Sequence, residues 1–145
     1  NVLPKVVLID VVGDAPRRFR YRLVGSDAER IYGENYTGRF MDEMRFASSM
    51  KAIQQFYDTA CNGSAPILLE GAYITRISSQ FRVVRLAMPL SEESGLVTGL
   101  FCLMTKLDNS PSAYIQRALS FGTVSIFKQS GEKRTIGLPL GAIVH

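Results

Sequence analysis

The chain has 145 residues, 46% hydrophobic and 21% charged, which suits one folded domain and excludes a disordered chain. No apolar run approaches the ~18 residues of a membrane span. A net charge of +4 from 17 basic and 13 acidic residues reads as a mildly basic surface, because no zinc-finger spacing, helix-turn-helix pattern or basic helix accompanies it.

The first elements are two strands, residues 6–12 "VVLIDVV" and 19–25 "FRYRLVG", joined by a Gly-Asp-Ala-Pro turn. Alternation puts Phe19, Tyr21 and Leu23 on one face of the second strand and Arg20, Arg22 and Val24 on the other. "SDAE" then predicts a capping box, with the Ser26 hydroxyl accepting from the Glu29 amide and the Glu29 carboxylate reaching back to Ser26. The helix it opens lasts about two turns and stops at Gly33, in a left-handed C-terminal position. Thr37 is the expected cap of a second short helical piece carrying Phe40, Met41 and Met44.

A longer helix follows, with Phe46, Met50, Ile53, Phe56, Tyr57 and Ala60 at helical spacing and "CNGS" at its end. Three strands come next, at 66–75, 81–90 and 96–107, with joins short enough for antiparallel neighbours. Two strands, short helices, one longer helix and three strands predict an α+β fold. It is a five-stranded antiparallel sheet with its helices gathered on one face. Beyond residue 108, "SPSAYIQRAL" suggests a short helix and "TVSIFKQSGEKRTIG" a hairpin around "SGEK". The division expected is a domain over 1–108 and a C-terminal extension over 109–145.

That element order, with "LVGSDAERIYGENYTGRFMDEM", resembles the PAS domain. Such domains show a glycine before their short helices and a Gly-Arg or Gly-Lys pair before the next one, as Gly38-Arg39 does here. More narrowly, "FRYRLVGSDAERIYGENYTGRF" and "MPLSEESG" resemble a family of small bacterial PAS proteins of unassigned ligand. The resemblance covers about residues 2–107. It implies a sensory or regulatory module and no catalysis, with a pocket between the inner sheet face and the short helices. Short helices suit such a wall: they bury little and open cheaply, so a ligand can bias their packing.

The expected lining is Ile31, Tyr32, Tyr36, Phe40, Met44, Met50, Ile53, Tyr73, Leu86, Met88, Phe101 and Leu103. The same residues would equally serve as a solid core. On the fourth strand, Arg82, Val84, Leu86 and Met88 form the more apolar set and are taken as the inner face. There Arg82 could hold a ligand carboxylate bidentately, or else pair with Asp10 or Glu70 at the strand's wet end. Arg20 and Arg22 are expected on the outer face, in cross-strand acid pairs or a dimer contact.

Several chemistries are argued against. Some PAS relatives form a cysteinyl-flavin adduct in a Gly-x-Asn-Cys-Arg-Phe run; "GENYTGRF" puts Tyr36 where that thiol would stand. Haem-binding relatives supply a histidine from the long helix, whereas His145 is the sole histidine and the final residue. No zinc-type cluster appears. A nucleophile would lack a nearby base, and the acid pairs Asp42-Glu43 and Glu92-Glu93 diverge as adjacent residues do. The cofactor is therefore left open.

Two cysteines in helix-end and strand contexts fit a reducing compartment, and a cytoplasmic location is expected. The partners expected are a small, largely apolar or amphipathic molecule, and a second copy or a signalling protein; neither nucleic acid nor membrane is. The rival readings are a ligand-free dimerisation module and a small carboxylate enzyme that would need Asp10 or Glu70 perturbed in a cleft.

Overall fold

The computed structural model describes the backbone of residues 1–44, 47–74, 80–107, 121–127 and 133–139, and side chains within 1–44, 51–70 and 82–107. A 3-10 turn at Leu3–Lys5 leads into β1 (Val6–Val12), which pairs with β2 (Arg18–Val24). Helix α1 (Ser26–Tyr32) and a second 3-10 turn at Met41–Glu43 precede α2 (Ala47–Gly63). The strands β3 (Ile67–Ile74), β4 (Gln80–Ser91) and β5 (Val97–Leu107) follow, each antiparallel to the next. The long helix ends and the three strand bounds lie within two residues of those predicted.

β5 returns to pair with β1, so the core sheet runs β2-β1-β5-β4-β3. This is the five-stranded antiparallel α+β arrangement expected, with the helices on one face. The predicted hairpin also forms, as β6 (Phe121–Phe127) and β7 (Lys133–Pro139). β6 pairs with β3, which extends the sheet to seven strands. The expected helix in "SPSAYIQRAL" lies outside the described residues.

Two local expectations are corrected. Ser26 does not cap α1: Gly25 is the N-cap, and its carbonyl already accepts the Glu29 amide at 2.9 Å. The amide that the hydroxyl would have served is thus satisfied, and Glu29 instead accepts from Asn35 at 3.3 Å. Thr37 is likewise no helix cap, since its hydroxyl accepts the Val24 amide at 3.3 Å and Phe40 precedes the 3-10 turn. The Gly33 stop is as predicted, at φ +85°, with its amide on the Glu29 carbonyl.

β2 departs from plain alternation. Its pairing slips between Leu8 and Ile9, so Arg22 is the extra residue of a bulge. Phe19 and Tyr21 are buried, but beyond the bulge the order flips: Leu23 is exposed and Val24 buried. The residues after it lie against the free edge of β2. The Tyr21 amide donates to the Arg39 carbonyl at 2.9 Å, and the Gly38 amide to the Tyr21 carbonyl at 2.6 Å.

On the outer sheet face Asp10 stands opposite Arg20 in the ladder and pairs with both Arg20, at 2.8 Å, and Arg22. The expected cross-strand acid pairing therefore exists. Burial pushes the Asp10 carboxyl upward, but hydrogen bonds and charge from the two arginines outweigh it and leave the group below its ordinary 3.8. A carboxyl lowered on folding stabilises above its unfolded value, and that contribution disappears as pH falls through the folded one. Asp10→Asn is expected to cost about 2 kcal/mol at pH 7. The deficit relative to the parent should shrink below about pH 4 as the native carboxyl protonates. Urea titrations at pH 7 and pH 3 check this; a deficit that does not change with pH would show that the ion pair contributes nothing.

Candidate functional site on the inner sheet face

The helices cover a sheet face made by Val7 and Ile9 of β1, Phe19 and Tyr21 of β2, Leu100, Cys102 and Met104 of β5, Val83, Arg85 and Ala87 of β4, and Ile67 and Leu69 of β3, all buried. α2 docks by Ala52, Ile53, Phe56, Tyr57, Ala60 and Cys61 at three- and four-residue spacing. Its ring contacts are Tyr57 with Phe19, centroids 5.4 Å apart, and Tyr57 with Phe56 at 5.3 Å. α1 adds Ala28, Ile31 and Tyr32, and the segment behind it adds Tyr36, Met41 and Met44.

Three tyrosines meet where α1 crosses the sheet. Tyr32 lies edge-on to Tyr21 at 5.8 Å and to Tyr36 at 5.4 Å, and Tyr21 and Tyr36 are 6.2 Å apart. The Tyr36 hydroxyl reaches the rim and donates to Glu34 at 2.8 Å. The hydroxyls of Tyr21 and Tyr32 are buried and interact with each other, outside ordinary hydrogen-bond geometry.

Arg85 enters the same cluster from β4. It is 7% exposed; its Nε–H donates to the Met104 sulfur at 3.0 Å and its guanidinium carbon sits 5.9 Å from the Tyr32 ring centre. Asp10 and Arg85 are the two buried charged residues among the described side chains, and they lie on opposite faces of the sheet. Burial pushes Tyr21 and Tyr57 well above the ordinary phenol value. It also raises the Cys102 thiol to about 12 and Cys61 to about 11, so both stay protonated and unreactive near neutrality.

The structure brings together Tyr32, Tyr36, Met44 and Ile53 of the expected lining, with Ile31 beside them. It puts the expected face of β4 on the wrong side. Val83, Arg85 and Ala87 point at the helices, whereas Arg82, Leu86 and Met88 are half-buried on the outer face with their cross-strand neighbours Leu103 and Phe101. Arg82 pairs there with Glu70, one of the two acids anticipated for it. Phe40 is half-buried at the sheet edge, its ring 3.8 Å under the Arg18 guanidinium. The side chains of Met50 and Tyr73 lie outside the described ones.

The sequence reading missed Tyr21, Tyr57, Arg85, Cys102 and Met104 as site residues. Tyr21 and Tyr57 already sat on the correct faces of their elements. Arg85 lies on the less apolar face of β4, where a lone charge among small residues is the available signal.

Solved structures of VqmA share this architecture. VqmA bound to DPO aligns with a TM-score of 0.52 at 12% identity, over 62% of this chain and 48% of that one. VqmA of Vibrio cholerae in a complex with ligand and DNA aligns with a TM-score of 0.56 at 12% identity, over 77% and 52%. The fold is PAS-like. This chain spans about half the length of the VqmA chains it matches, and at such identity the likeness concerns the fold. No protein-family model matches the chain. No curated protein matches it either. Among the described residues no helix is long and apolar enough to cross a membrane, and no three potential metal ligands are grouped.

Proposed function

We propose that this chain is a PAS-type sensory domain that takes a small molecule on its inner sheet face and passes its state on by association with another chain. The observation that carries the reading is the polar cluster beneath the short helices, where Tyr21, Tyr32 and Tyr36 meet ring to ring beside the buried Arg85. The neighbouring fold supports it, since VqmA has been solved bound to DPO. Binding is favoured over catalysis by the protonated thiols and by the commitment of Asp10 to two arginines.

Native mass spectrometry of the freshly purified protein tests this. An added mass lost on denaturation is expected. Met88→Trp and Phe101→Trp, on the outer face, should leave that mass bound, whereas Met104→Trp should expel it at a stability cost of about 1–3 kcal/mol. Retention by Met104→Trp with loss in Met88→Trp would move the site to the opposite face.

A second reading is favoured by the outer face itself. Leu8, Phe101 and Met88 lie side by side across three strands, and Leu103, Leu86 and Leu68 form the adjacent row, all half-buried. A ligand-free dimerisation module would use that surface. A bare chain that sediments as a dimer, and as a monomer after Phe101→Glu, would establish it.

A further inference from the structure

We infer that β7 is a pairing edge for a second copy of this chain, joined antiparallel about a two-fold axis so that the two sheets run on as one. The inference goes beyond the inner-face reading and rests on the sheet alone: it names the surface and the partner for an association between chains.

The sheet has two edges, and they end differently. At the β2 edge the outward backbone groups are already in use. The Tyr21 amide donates to the Arg39 carbonyl at 2.9 Å, the Tyr21 carbonyl accepts from the Gly38 amide at 2.6 Å, and Arg20 forms an isolated antiparallel bridge with Phe40. Residues 38–40 thus close the middle of that edge against another strand. At the other edge β7 is the last strand, and no described residue pairs with its outer side.

β7 is in a condition to accept a partner. Its ladder with β6 runs from Lys133 opposite Phe127 to Pro139 opposite Phe121 with no shift in register. Alternate residues of such a strand turn their N–H and C=O away from β6. No bulge twists the edge aside, and the proline, which could not donate, is the last residue of the strand.

The partner follows from which edges are left. Head-to-tail addition, β7 of one copy on β2 of the next, meets a strand whose middle is taken, so the open-ended row of sheets it would build is blocked. β7 on β7 closes after two copies. Charge then sets the direction. "KRTIGLP" carries its cations in the first two residues, and the rest are uncharged. A two-fold axis at Ile136 sets Arg134 opposite Leu138 and Lys133 opposite Pro139 of the other copy; an axis at Thr135 sets them opposite Ile136 and Gly137. No cation meets a cation in either register. Parallel pairing would line up Lys133 and Arg134 with their own copies, and like charges directly opposite are destabilising.

Sedimentation equilibrium of the full chain over a concentration series tests this, and a reversible dimer is expected. Neighbouring amides in a strand point to opposite edges, so of Thr135→Pro and Ile136→Pro one removes an outward donor and the other a bond to β6. The first should weaken the dimer tenfold or more while melting near the parent at concentrations where both are monomeric; the second should melt earlier. Amide exchange of the parent needs no variant: it should slow at alternate residues of β7 as the dimer forms. Phe101→Glu, on the outer face, should leave the dimer intact. A chain that stays monomeric, a dimer that survives both proline variants with β7 exchange unchanged, or a dimer lost in Phe101→Glu would overturn the pairing. A monomer that still carries a mass lost on denaturation would leave the inner-face reading standing, so the two can fail separately.

Discussion

Gly25→Ala is expected to lower stability by about 3 kcal/mol, seen as an earlier urea midpoint with an unchanged slope. The backbone dihedrals are not the cause, since φ −69° and ψ 157° suit any residue. The cause is proximity. A methyl group at this position would lie 2.5 Å from the Pro4 carbonyl oxygen and 2.7 Å from that of Leu3. Both are main-chain atoms and cannot swing aside as a side-chain tip would. Gly25 also donates to the Val6 carbonyl at 2.8 Å, so retreat would break the bond that sets α1 against the start of β1. Gly33→Ala is the control: φ is +85° with open space around it, and the cost should be only about 1 kcal/mol. Equal costs at the two sites would mean that the N-terminal turn yields.

Phe19→Ala is expected to cost about 3–5 kcal/mol. Phe19 is 1% exposed and forms the first of two consecutive ring contacts that end at Phe56. Removing it takes the packing surface from the face of α2 that meets β2. The neighbouring polar ties, Gln54 to the Arg17 carbonyl at 3.0 Å and Arg17 to Asn62 at 2.6 Å, hold the helix in place and so prevent the cavity from closing. Phe19→Leu should recover more than half of the loss. Thermal unfolding of both variants checks this; a loss below 1 kcal/mol for alanine would show that α2 can slide to fill the gap.

The order of elements was legible because each carried its own local signal: alternation in β1 and β2, helical spacing in α2, and polar turns between the last strands. Register was not. The bulge at Arg22 has no sequence mark, so alternation groups Leu23 with Phe19 and Tyr21 and Val24 with the arginines, whereas Val24 is the one buried with Phe19 and Tyr21. On β4 both faces bear apolar residues, and a rule that buries the more hydrophobic face fails there. The helices pack over Val83, Arg85 and Ala87, while the larger Leu86 and Met88 lie half-covered on the opposite face. Pairing with β5 resolves this, because Cys102 and Met104 fall opposite Ala87 and Arg85, a long-range fact that no window of sequence contains. Of the two acids expected for Arg82, Glu70 takes it, whereas Asp10 pairs with Arg20 and Arg22 across β1 and β2.

The strip formed by residues 38–40 has a mechanical consequence. Residues 26–37 are stapled at both ends, at Gly25 against the N-terminal turn and at Gly38 and Arg39 against Tyr21. The segment is a closed loop whose anchors cannot slide along the chain. Any rearrangement within it must therefore travel sideways, through Ile31 and Tyr32 into β5 and the tyrosine cluster. One of its two clasps is the backbone of Tyr21, whose side chain carries the buried hydroxyl. Movement of the loop and the packing of the inner face therefore meet at the same residue.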